Sequence, residues 1–164
     1  MTTKPSTDVV DIDAFLPDEL FELAILKPGT TEPTGWVLQL APPGHDKAVA
    51  YSTSSSKARL KKEALEHAQQ VNGRKVKPDE RSVDEQKLDN VNWVASRLLG
   101  WSTVKSALFG PDPIPFSDDN VRMVFMHPKM GWAYAQVVDH LTEEGNFTKR
   151  SASISSTTPS APSS

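Results

Sequence analysis

Proline and glycine decide where regular structure can run in this chain. Among its 164 residues are 13 prolines, and several stand beside glycine in turn-forming groups. Pro28-Gly29 and Pro33-Thr34-Gly35 separate two short aliphatic runs, Glu22–Leu26 and Gly35–Ala41, and Pro42-Pro43-Gly44 stops the second. Runs of that kind, bounded by turn chemistry, read as strands closing an antiparallel hairpin over about 22–41. Further on, Pro111, Pro113 and Pro115 forbid a regular ladder in "TVKSALFGPDPIP", which leaves a loop or a weak strand pair.

After Pro42-Pro43-Gly44 the hydrophobic period changes to that of helices. Leu60, Ala64, Ala68 and Val71 recur at helical spacing, and Asn72-Gly73 offers a left-handed exit, so a helix is expected over about 46–72. The serine-rich stretch "AVAYSTSSSKA" favours turns and caps, which leaves its place in that helix open. A second helix is expected over about 82–99, with Leu88, Val91, Ala95 and Leu98 on one face and Gly100 as its stop. Ser117 is placed to cap a short helix over about 118–126, with Asp118 and Asp119 complementing its dipole and Val121, Val124 and Phe125 buried. Pro128 suits the first turn of a last helix over about 128–143, in which Met130, Ala133, Tyr134, Val137, Val138 and Leu141 repeat at three and four. The expected fold class is α+β: a small N-terminal β-hairpin, then a mainly α-helical part of about four helices, in one domain over 11–150. Residues 1–10 and the Ser/Thr/Pro tail 151–164 are expected to be disordered.

Composition removes several function classes. There are no cysteines, hence no disulfides, thiolate nucleophiles or cysteine-based zinc sites. His45, His67, His127 and His140 show no H-x-x-x-H spacing, and Asp8, Asp11 and Asp13 lack the glycine and terminal glutamate of a calcium loop. Phosphate-cradling glycine loops and a G-x-S-x-G elbow are absent from the sequence. The serines of 52–56 carry no sign of an activating base. No catalytic residue, cofactor site or metal site is therefore assigned, and an enzyme is the class with least support. No apolar run approaches the ~20 residues needed to span a bilayer, and "MTTKPSTDVVDID" has no apolar signal-peptide core, so a soluble cytoplasmic protein is expected. The net charge of −3 argues against bulk attraction to nucleic acid or anionic membranes. The basic clusters "KARLKK" (57–62) and "GRKVKP" (73–78) read either as a nucleic-acid-binding helix or as the solvated side of an amphipathic one. Glu63, Glu66 and the lack of interleaved aromatics favour the second.

Two tryptophans stand out. With Met130, Tyr134, Val138 and Leu141 as the buried stripe of the last helix, Trp132 falls nearly opposite, near Asp139. With Val91, Val94, Ala95 and Leu98 as the stripe of the second helix, Trp93 points away as well. Outward aromatics on helices are typical interface anchors, and with Met123 and Met126 they form the candidate partner-binding set. The competing arrangement sandwiches these helices, so that both rings pack under the hairpin or against each other. Trp36 and Trp101 read as ordinary core residues.

The segments "GTTEPTGWVLQL", "NVNWVASRLLGW" and "IPFSDDNVRMVFMHPKMGWAYAQVVDHLTEEGNFTKRSA", followed by a polar tail, resemble the tail assembly chaperones of long-tailed, siphovirus-type bacteriophages. The family's habit is an N-terminal strand pair with a Pro-Thr-Gly-like turn, a tryptophan before a Pro-Phe-Ser/Thr-x-x-Asn segment, a proline-led helix and an Asn-Phe-x-Lys exit. The matching positions are Gly35, Trp101, Pro115, Phe116, Ser117, Asn120, Phe125, Pro128, Asn146, Phe147 and Lys149. The likeness covers about residues 20–152, and "TVKSALFGPDPIP" departs from it by being longer than the family's link. The resemblance implies a non-enzymatic factor of the host cytoplasm that reversibly coats the tape measure protein during tail assembly. Tail tube protein is a second implied partner, self-association is a further expected contact, and the resemblance implies a programmed frameshift that extends the product. The rival readings are a structural virion protein, such as a head–tail connector or minor tail component, and a small nucleic-acid-binding regulator.

Overall fold

The computed structural model describes residues 12–15, 20–76, 80–143 and 147, and every structural statement below, absences included, concerns those residues. The expected disordered ends, 1–10 and 151–164, lie outside them. A 3₁₀ turn, Ile12–Phe15, precedes strands β1 (Phe21–Leu26) and β2 (Pro33–Leu40). Helices α1 (Asp46–Val71) and α2 (Val83–Arg97) follow, then a third strand, β3 (Leu98–Trp101). Helix α3 (Asp118–Met126), a 3₁₀ turn (Pro128–Met130) and helix α4 (Gly131–Thr142) complete an α+β fold.

The hairpin forms as expected, and of the two turn-forming groups between its strands Pro28-Gly29 makes the turn. Lys27 and Glu32 close it through a backbone hydrogen bond of 2.8 Å and an ion pair of 2.8 Å, with Gly29 at φ +70° in the tip. Pro33-Thr34-Gly35 is therefore inside β2 and forms a bulge. The register jumps from Ala24↔Val37 to Leu26↔Pro33, so Thr34, Gly35 and Trp36 lie opposite Ile25 alone. The Thr34 hydroxyl donates to the Ile25 carbonyl (2.7 Å) and accepts from the Trp36 amide (3.1 Å). Gly35 sits at φ +88°, a conformation that disfavours any side chain.

Strand β3 corrects the expectation of a helix running to Leu99. The helix ends at Arg97, and the next four residues pair antiparallel with β2 in the order β1-β2-β3. Gly100 is not a helix stop; it faces Gln39 across the ladder, where an added Cβ would meet the Gln39 side chain at 2.6 Å. Strand alternation puts Trp36, Leu38 and Leu40 on the buried face and leaves Gln39 outside. Against that face pack Val91, Val94, Ala95 and Leu98 of the α2–β3 junction, Val121, Val124 and Phe125 of α3, and Ala133, Val137 and Leu141 of α4. The expected α3 residues are all buried, whereas Leu88 of α2 is 39% exposed.

Polar ties fix the elements around this core. Ser82 and Glu85 form a reciprocal capping box on α2. Lys47 at the start of α1 donates to the Leu98 carbonyl and pairs with Asp118, both at 2.7 Å. Arg122 of α3 donates to Asn92 of α2 at 2.7 Å. The Gln136 amide of α4 satisfies both backbone groups of Leu26, at 2.9 and 3.0 Å, which blunts the β1 edge.

Helix α1 leaves its apolar stripe uncovered, while Lys57, Arg59 and Lys61 are solvated as expected. The serine-rich stretch is helical, so the helix runs unbroken from the His45 cap. Its stripe Leu60, Ala64, Ala68 and Val71 faces solvent, Leu60 at 58% and Val71 at 73% exposure, and Ala48 is its one buried residue. The side toward the body carries Tyr51, Lys62, Glu66 and Gln69, each half-buried. Ion pairs Arg59–Glu63 (3.5 Å) and Lys62–Glu66 (3.9 Å) support it, each worth about 0.3–0.5 kcal/mol at best when exposed. Truncating a core ring and truncating this stripe should therefore differ sharply. Phe125→Ala should cost about 3–5 kcal/mol in urea unfolding, while Leu60→Ala should stay within about 0.5 kcal/mol of wild type.

Candidate protein-interaction site

An aromatic cluster builds an apolar groove. Trp36 stacks on Phe125 (centroids 5.9 Å, planes 13° apart) and meets Trp101 edge-on at 5.9 Å. Trp101 in turn meets Phe116 edge-on at 5.3 Å and donates its indole N–H to the Ile114 carbonyl at 3.0 Å. That bond, with the single bridge Val104↔Ile114, folds the connector 102–115 back beside β2. The connector thereby carries Phe109 to face the start of α4. Between them lies a groove of about 430 Å³, walled by Trp36, Phe109, Ile114, Val124, Met130 and Trp132. Thr34, Gly35, Thr103 and Ser106 form polar edges, and Lys105 is the single charged residue of the lining. This size and composition suit one or two large apolar side chains presented by another chain.

Trp132 belongs to this groove, but it does not stand clear of the molecule. It is half-buried and packs against the core. The centre of the buried stripe on α4 is Ala133, Val137 and Leu141, with Tyr134 and Val138 on one flank and Trp132 and Gln136 on the other. Trp93 is also half-buried, and for another reason: α1 lies beside it, and Trp93 lines a separate cleft of about 310 Å³ with Ala48, Tyr51 and Ser52. The expectation of two outward indoles is thus corrected to two half-covered rings on different clefts. Met123 is 42% exposed, and Met126 is half-buried, its carbonyl accepting from Lys87 at 2.9 Å. The four residues do not form one surface.

The other motif positions do structural work. Ser117 caps α3 by accepting from the Asn120 amide at 3.1 Å, and Asn120 donates to the Pro115 carbonyl at 2.8 Å, which closes the Pro-Phe-Ser-x-x-Asn segment on itself. Phe116 and Phe125 lie in the aromatic cluster, and Pro128 opens the 3₁₀ turn capped by His127. Phe147 is buried, 5.0 Å edge-on to Phe21, with the Arg97 guanidinium 4.7 Å over its ring. Asn146 and Lys149 lie outside the described residues.

Comparison with family models, curated proteins and solved structures finds no match to this chain.

Two groups titrate abnormally. Arg97 is nearly buried, its Nε donates to the Ala41 carbonyl at 2.8 Å, and desolvation lowers its pKa. The Phe147 ring stands in for part of the lost hydration through its negative face. Tyr134, 6.0 Å from Phe125 behind the groove, is raised above its ordinary 10.0 because burial disfavours the phenolate. No three His, Asp or Glu side chains gather to hold a metal ion, and no helix is long and apolar enough to cross a membrane.

Sequence reasoning missed Phe109, Trp36 and Met130 as groove residues. The available signal was the length of "TVKSALFGPDPIP", but only tertiary pairing brings Phe109 to Trp132. The tyrosine gives a check on this packing. Because the folded state holds the Tyr134 proton more tightly than the unfolded chain, its stabilising contribution is present below pH 10 and is lost as pH rises through the folded value. Urea midpoints at about pH 9 and about pH 11 should therefore fall less for Tyr134→Phe than for wild type.

Proposed function

We propose that this protein is a non-enzymatic tail assembly chaperone of a long-tailed bacteriophage, which captures helical segments of the tape measure protein and then releases them. The observation that carries the reading is the Trp132 groove: an open, largely uncharged, aromatic-walled cleft of about 430 Å³. The motif resemblance supplies the client. A tape measure protein presents many similar apolar positions along a helix, and a cleft that accepts one or two side chains binds each weakly and interchangeably. Met130 in the wall adapts to differing side chains. Such capture shields the client in the host cytoplasm while tube subunits polymerise, and the chaperone leaves before the particle is complete.

Co-expression with the tape measure protein of the same phage tests this. Trp132→Ala and Phe109→Ala should each cut co-purification about tenfold or more, the loss expected when a buried anchor worth ~1.4 kcal/mol or more is removed. Trp93→Ala, on the other cleft, should leave capture intact, and mass spectrometry of purified virions should lack the protein. Unchanged capture by both groove variants with native circular dichroism would remove the reading, and presence in virions would favour a structural virion protein.

A further inference from the structure

Helix α1 presents a second surface, remote in character from the aromatic groove. At about 100° per residue, Leu60, Ala64, Leu65, Ala68 and Val71 share an arc of about 140° with Lys57 and Lys61. Leu60, Leu65 and Val71 are 58%, 60% and 73% exposed, and Ala64, Ala68 and both lysines are exposed too. Lys57 and Lys61 make no ion pair among the described residues. From Lys57 to Lys75 the chain carries Lys57, Arg59, Lys61, Lys62, Arg74 and Lys75 against Glu63 and Glu66 alone. This positive excess stands out in a protein whose net charge is −3.

We infer that the outer face of α1 docks an acidic amphipathic helix of another protein. Its apolar centre needs an apolar stripe opposite, and Ala64 and Ala68 between the larger residues let a second helix axis come close. The lysines on the same arc need carboxylates flanking that stripe. A second copy of this chain is the poorer occupant, because a two-fold contact sets the positive face against itself. Nucleic acid would leave Leu60, Leu65 and Val71 against phosphates, and the arc has no aromatic side chain for base stacking. An anionic bilayer would find no tryptophan or phenylalanine on the arc to anchor in the interface. The surface stands whether or not the groove binds a tape measure protein.

The test uses the full chain and a synthetic amphipathic helix with leucines on one face and flanking glutamates, beside the same peptide with flanking lysines. The acidic peptide should bind with an affinity that falls as salt rises, and it should slow amide exchange across residues 57–71. Lys57→Glu with Lys61→Glu should weaken it at least tenfold, as should Leu60→Gln with Leu65→Gln, while Trp132→Ala should not. The Lys57, Lys61, Leu60 and Leu65 side chains are exposed, so both double variants should keep the native circular dichroism spectrum. Equal binding of the lysine peptide, indifference to the charge reversal, or tighter binding to phosphatidylserine vesicles or duplex DNA would overturn the inference. Sedimentation as a dimer that the Leu60/Leu65 variant abolishes would overturn it in favour of self-association.

Discussion

The stack of Trp36 on Phe125 is the contact on which the arrangement depends. It joins the central strand of the sheet to the last turn of α3, at a centroid distance of 5.9 Å with planes almost parallel. The bulge at Thr34–Trp36 sets this contact, because the Thr34 hydroxyl takes the Trp36 amide and the glycine between them adopts a positive φ. The Trp36 indole N–H is buried without an acceptor, a desolvation penalty of about 1–3 kcal/mol that the surrounding ring contacts must offset. Around Trp36, Trp101 and Phe116 extend the cluster to β3 and to the cap of α3.

The same cluster makes the groove. Trp101 holds the Ile114 carbonyl, the connector 102–115 folds back along β2, and Phe109 is delivered opposite Trp132. Trp36 is at once a core residue and a wall of the cleft, so the shape of the cleft and the packing of the core share one ring. Among the motif positions, Trp101 meets Phe116 edge-on, Ser117 accepts from the Asn120 amide, and Phe125 stacks on Trp36. They fix the scaffold, and the groove is walled by residues outside the motif, apart from Gly35 at its edge.

Helix α1 follows a different logic. It is tied to the body near its start by Lys47 and by the Tyr51 hydroxyl, which donates to the Asp89 carbonyl at 3.3 Å, and farther along it has two exposed ion pairs and a polar inner face. A helix held this way opens locally more readily than the buried α3, which suits an element that adapts to what it meets.

Local rules were legible in the chain itself. Turn prolines and glycines marked the hairpin, Ser117 marked the start of α3, Pro128 marked the last helical segment, and the three-and-four spacing marked Val121, Val124 and Phe125 as buried. These follow from φ restriction, capping and period, each acting within a few residues. Partners distant in sequence were not legible. Spacing shows that Leu60, Ala64, Ala68 and Val71 share a face, but not whether anything packs on that face. It likewise cannot show that Leu98–Trp101 will leave a helix to pair with β2, or that Phe109 and α1 will half-cover the two tryptophans. Periodicity fixes relative direction around an axis. Only the packing of one element against another fixes which direction is inside.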